Sequence, residues 1–131
     1  MATKEERVIL EHEYVHIYTS GQGNIVLYFG NENEKPLAVG RKMNEINEEA
    51  YMNGYNWDAF FNYYLAENAP DILENMESDP EAGSYVAYFE DTEENEQKAK
   101  RFADIIISLI ENEEIYIGSA ALQCILEYPD S

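Results

Sequence analysis

The stretch Tyr14-Val-His-Ile-Tyr-Thr-Ser-Gly-Gln-Gly-Asn-Ile-Val-Leu-Tyr-Phe29 decides the fold class. Its two ends, Tyr14 to Thr19 and Ile25 to Phe29, are β-branched, aliphatic or aromatic almost throughout, and such side chains suit the pleated, half-buried surface of a strand. Between them Ser20 to Asn24 supplies two glycines and other turn formers, so the stretch reads as a β-hairpin. Downstream, a loop from Gly30 to Pro36 leads to the apolar piece Leu37-Ala-Val39. Met43, Ile46, Ala50 and Tyr51 then recur at helical spacing and predict a first helix. Gly54 interrupts that pattern.

Asn56 stands directly before Trp57-Asp-Ala-Phe-Phe61 and reads as the N-cap of a second helix running to about Asn68, its side-chain oxygen free to accept an orphan backbone N–H. Pro70 suits the first turn of a short helix through Met76, because its missing N–H would be unpaired there in any case. Ser78 to Gly83 is a loop, and Tyr85-Val-Ala-Tyr-Phe89 is a further strand. Thr92 caps a long helix with Ala99, Phe102, Ile106, Leu109 and Ile110 on one face; Glu94/Lys98 and Glu96/Lys100 are its i,i+4 pairs. Ile115-Tyr-Ile117 reads as a last strand, and Ser119 as the cap of a terminal helix carrying Leu122, Ile125 and Leu126. Together these elements predict one small α+β domain over residues 1–131, with a mostly antiparallel sheet that starts with a β-hairpin and helices packed mainly on one face.

Of 131 residues, 27 are acidic and 8 are Lys or Arg, for a net charge of -19, while 45% are hydrophobic. That apolar share is enough for a folded core despite the charge. Nucleic acids and anionic membranes are poor partners for such a chain, since binding to phosphate draws its affinity from Lys and Arg. Cys124 is the single cysteine, forms no internal disulfide, and reads as a small buried hydrophobe. The charged start Met1-Ala-Thr-Lys-Glu-Glu-Arg7 is unlike a signal peptide, and no apolar run reaches the length of a membrane span, so a cytoplasmic location is expected. The charge is segregated: residues 43–97 hold 15 acids and no Lys, Arg or His.

Three groups of residues carry candidate chemistry. His12-Glu-Tyr-Val-His16 matches the H-E-x-x-H pattern of zinc peptidases, in which a helix brings both imidazoles to one metal and the Glu activates bound water. In a strand the two His would stand roughly 13 Å apart at about 3.3 Å per residue, too far to share an ion. The run Glu90-Asp-Thr-Glu-Glu-Asn-Glu96 lacks the ligand spacing and central glycine of an EF-hand, and acids in a first helical turn are favoured by the helix dipole whatever the function. Among Tyr51, Tyr55, Trp57, Phe60, Phe61, Tyr63 and Tyr64 the i,i+4 pairs Trp57/Phe61 and Phe60/Tyr64 assign most of the set to the core. The set nevertheless covers more of the helix than one buried stripe, so at least one Tyr reaches the surface.

Asn53-Gly-Tyr-Asn-Trp57, the aromatic helix after it, Pro70-Asp-Ile72, and Asp79-Pro-Glu-Ala-Gly83 leading into Tyr85-Val-Ala-Tyr88 resemble the immunity protein 51 family of bacterial polymorphic toxin systems. The specific similarity covers about residues 51–90, and Leu10-Glu-His-Glu13 also looks like the family's opening. Asn56 and Ser84 stand where Asp and a hydrophobic residue are common, departures that bear on toxin specificity more than on the family. The resemblance implies a non-catalytic protein, without metal or cofactor, that binds and silences a toxin domain made by the same cell. A basic toxin, such as a nuclease, suits the charge, because opposite fields steer association. Contacts are then expected from the base-free stretch: Glu48, Glu49, Asp79, Glu81, Glu93 and Glu94 steer, and Tyr55 and Tyr63 anchor. The alternatives are a small zinc metallopeptidase using His12, Glu13 and His16, and an acidic nucleic-acid mimic that binds another basic protein. Oligomeric state is left open by the sequence.

Overall fold

The computed structural model describes residues 7–46 and 53–112. In chain order it has β1 (Val8–Glu11), β2 (Val15–Thr19), β3 (Asn24–Phe29), α1 (Glu34–Ile46), α2 (Gly54–Asn68), α3 (Pro70–Glu74), β4 (Glu77–Ser78), β5 (Tyr85–Glu90) and α4 (Glu93–Glu111). The strands form one sheet in the order β1-β2-β3-β5-β4, every neighbouring pair antiparallel. The expected α+β architecture is therefore present. The expected last strand and terminal helix lie outside the described residues.

Antiparallel partners share a face of the sheet, so the register sorts the side chains. On one face Val15, Phe29 and Tyr85 stand in one row, Ile17, Leu27 and Ala87 in the next, and Thr19, Ile25 and Phe89 in a third. All nine are buried. The helical layer covers this face through an aromatic cluster: Phe29 meets Trp57 edge-on at 5.2 Å, Trp57 stacks on Phe61 at 5.4 Å, and Phe61 meets Tyr85 at 5.0 Å and Phe102 at 5.3 Å. Helix α4 buries Ala99, Phe102, Ala103, Ile106, Leu109 and Ile110, in keeping with its sequence periodicity.

The hairpin turn uses glycine where the backbone requires it: Gly21 and Gly23 have φ of 79° and 92°, a region that L side chains rarely adopt. Ser20 N–H closes the turn on Asn24 O at 2.9 Å, and Asp91 N–H ties it to β5 through Gly23 O at 2.9 Å. Thr92 Oγ1 caps α4 by accepting from Asn95 N–H at 3.1 Å, as expected.

Several boundaries differ from expectation. Helix α1 begins at Glu34, so Lys35 and Pro36 belong to its first turn, the position where proline's missing N–H is harmless. The N-cap of α2 is Asn53, whose Oδ1 accepts from Asn56 N–H at 3.0 Å, and Gly54 is the first helical residue instead of a break. Helix α3 ends at Glu74, two residues before Met76, and Glu77–Ser78 forms a short edge strand inside what reads as linker and loop. Strand β1 is an additional edge strand before the hairpin, and its pairing with β2 is irregular between Val8 and Leu10. Lys98 is buried and donates to Asn75 Oδ1 instead of pairing with Glu94, while the expected Glu96–Lys100 pair forms at 3.4 Å.

Candidate functional site

The two motifs that carry the resemblance meet in space. Gly54 N–H donates to Ala82 O at 3.1 Å, and Asn31 Nδ2 donates to the same oxygen at 3.2 Å. Within the turn, Glu81 N–H donates to Ser84 O at 2.8 Å. The backbone of Glu81 and Ser84 lies so close to Gly54 that a Cβ there would fall 1.8 Å from Glu81 O and 2.2 Å from Ser84 O. The helix entry and the acidic turn thus form one rigid joint, from which Tyr55 stands 42% exposed and Glu81 reaches solvent. Asp79 is exposed at the base of this turn, its N–H bound to Val86 O at 2.8 Å. Tyr63, two turns along α2, is half-buried.

Glu93 and Glu94 lie elsewhere. They occupy the exposed first turn of α4, beyond the far end of β5. Six residues of β5 separate the two groups by about 17 Å at roughly 3.4 Å per residue. The expected contact residues are therefore not one cluster: Tyr55, Asp79 and Glu81 flank one end of the sheet, and Glu93 and Glu94 the other. Glu48 and Glu49 fall outside the described residues.

The H-E-x-x-H stretch adopts no helix. His12 and Glu13 belong to the turn between β1 and β2, and His16 lies within β2. His12 N–H closes that turn on Val15 O at 2.9 Å and its ring stands edge-on to Tyr14 at 4.5 Å, whereas the His16 ring lies 6.0 Å from Tyr28. The i,i+4 geometry needed for a peptidase zinc site is thus lost to strand pairing. Among the described residues no three His, Cys, Asp or Glu side chains are grouped so as to hold a metal ion.

Six of the seven described Lys and Arg residues lie on α1 and α4. Arg7 Nη2 binds Glu96 at 2.8 Å, Arg101 Nη1 binds Asp71 at 2.6 Å, and Lys35 Nζ reaches Glu111 at 3.1 Å. The hydrogen bond from Arg101 holds the Asp71 carboxyl below the usual carboxylate range, and that from Arg7 does the same for Glu96. Glu111 is lowered too, first by the phenol of Tyr14, which donates to it at 2.9 Å, and then by Lys35. Burial in turn pushes the Tyr14 phenol above its ordinary value. None of this was visible in the sequence, because Tyr14 and Glu111 are 97 residues apart.

The described strands contain no Lys or Arg. At the outer sheet edge a cleft of 510 Å³ is lined by Glu74, Glu77, Glu90 and Tyr88, with Asn24 and Asn75 among its other walls. Three carboxylates and one phenol in this arrangement offer recognition of cations: charge-assisted hydrogen bonds and the π face of Tyr88. No described helix is long and apolar enough to cross a membrane.

Compared with known proteins, residues 16–119 match the family model described as Immunity protein 51. No curated protein and no solved structure matches the chain.

Proposed function

The chain belongs to the immunity protein 51 family, and from that premise we infer that it binds a cognate bacterial toxin domain and neutralises it by stoichiometric occlusion in the cytoplasm of the producing cell. The observation that carries this reading is the segregation of charge. Fifteen acids lie in a stretch without a single base, while four of the seven described Lys and Arg residues, Arg7, Lys35, Lys100 and Arg101, form ion pairs with residues of the helical layer. Such a surface attracts a basic partner over a distance and rejects nucleic acid itself. Glu81, Asp79, Glu93 and Glu94 suit steering because they are exposed, and Tyr55 suits anchoring for the same reason.

The test is co-expression of this chain with the toxin domain encoded beside it. Protection together with a one-to-one complex of the two proteins supports the reading. Continued toxicity with no complex formed, from a chain shown to be folded, would refute it.

A further inference from the structure

The face of the sheet opposite the helices is lined differently from the core. His16, Tyr28 and Val86 form one row across it, and Tyr18, Val26, Tyr88 and Glu77 form the next. Tyr18 is 40% exposed and Val8, opposite it on β1, 63% exposed; His16, Tyr28, Val86 and Tyr88 are half-buried, and Val26 between them is buried. Four strand spacings of about 4.8 Å make this face roughly 19 Å wide from β1 to β4. Among the described residues its charged border is acidic: Glu11 on β1, Glu77 on β4 and Glu90 at the end of β5, with Asp79 beside Val86. Arg7, the cation next to β1, is turned to Glu96 on α4.

We propose that this open sheet face is the surface on which the toxin docks and that its occupant is a basic protein surface, an inference that rests on the immunity reading above. Charge selects among the occupants. The chain's own residues 113–131 carry four acids and no Lys or Arg, and a second copy brings another -19, so both are repelled by the border that attracts a cationic protein. Tyrosine supplies broad, rigid contact area at low entropic cost and accepts Arg or Lys over its ring, which suits the centre of such an interface. The cleft between Glu74, Glu77, Glu90 and Tyr88 opens beside this face and suits one inserted Lys or Arg side chain. Glu93 and Glu94, just past Glu90, extend the acidic border.

The experiment measures binding kinetics of the full chain with the adjacent-gene toxin domain, inactivated by mutation. Variants are Tyr18→Arg with Tyr88→Arg, Glu77→Lys with Glu90→Lys, and Ala66→Arg as a control that adds one positive charge on the exposed side of α2. The double Tyr variant is expected to weaken binding by roughly 30-fold or more, the loss of one hot-spot side chain, chiefly through faster dissociation. The Glu reversals should slow association and flatten its salt dependence, and Ala66→Arg should change affinity by less than about threefold. If Tyr88→Arg lowers the melting temperature markedly, Tyr18→Arg with Val8→Arg, both at exposed positions, replaces it. Wild type that binds normally while the sheet-face variants also bind within threefold overturns this proposal and leaves the immunity reading intact. Sedimentation showing a dimer that Tyr18→Arg dissociates, or hydrogen exchange showing the face protected only while residues 113–131 are present, overturns it in favour of those occupants. A wild-type chain that neither binds nor protects overturns the underlying reading as well.

Discussion

The carbonyl oxygen of Ala82 accepts from Gly54 N–H at 3.1 Å and from Asn31 Nδ2 at 3.2 Å, so that one atom fastens the entry of α2, the loop after β3 and the turn before β5. Because Asn31 is buried and all three segments converge there, the orientation of the aromatic helix over the sheet depends on a polar contact as well as on packing.

Gly54→Ala is therefore expected to destabilise. The added methyl would stand 1.8 Å from Glu81 O, a backbone atom that moves only if the turn moves. A loss of about 1–3 kcal/mol, the usual cost of overpacking, should appear in chemical denaturation. Unchanged stability would mean that the joint yields without cost.

Trp57→Ala removes a fully buried ring that touches Phe29, Phe60 and Phe61. Deletion of a core aromatic typically costs roughly 3–5 kcal/mol, enough to unfold many small domains. Far-ultraviolet circular dichroism with a denaturant titration measures it; a loss under about 1 kcal/mol would contradict the packing described.

Raising salt from about 0.01 to 0.1 M shortens the Debye length from about 30 to 10 Å. With a net charge of -19, repulsion outweighs the few exposed ion pairs, which are worth about 0–1 kcal/mol each. The melting temperature should rise with salt. A fall would assign the pairs of Arg7, Lys35 and Arg101 a larger share of stability than repulsion takes away.

Three paired carboxyls shape the acid side. Asp71, Glu96 and Glu111 are each held below the ordinary value in the fold, so the unfolded chain binds protons first. Their contribution is fully present above the usual carboxylate range near about 4 and is lost as pH falls through the lowered values. Thermal melts should thus decline below about pH 4, and Arg101→Gln should lessen the decline. Melting temperatures that hold steady or rise below about pH 4 would show that the paired carboxylates contribute little.

The hairpin was legible because Val15 to Thr19 and Asn24 to Phe29 are rich in β-branched and aromatic residues on either side of a glycine turn, and α4 because its apolar residues keep a single helical stripe. The cap of α2 was misplaced by three residues: Asn53 and Asn56 are equally good caps locally, and only the turn at Glu81 to Ser84, which leaves Gly54 no room for a side chain, decides between them. The open face was hidden for a different reason. Ile25-Val-Leu-Tyr-Phe29 is apolar on both sides, so which side the helices cover depends on β5 pairing with β3, a long-range fact. The expected Tyr55 and Tyr63 were drawn from an aromatic helix; the proposed Tyr18 and Tyr88 come from strands 70 residues apart.

That separation carries a consequence in time. Strand β3 is complete at Phe29, but its other neighbour β5 is complete only at Glu90, 61 residues later. At about 5–20 residues per second, a ribosome takes roughly 3–12 s between the two. A nascent or truncated chain ending before β5 holds Tyr18 and Tyr28 without Tyr88, and leaves the β3 edge unpaired. Messages cut short in the first two thirds would then yield no complete sheet, and a cell that makes a toxin beside this chain has reason to begin translating this chain first.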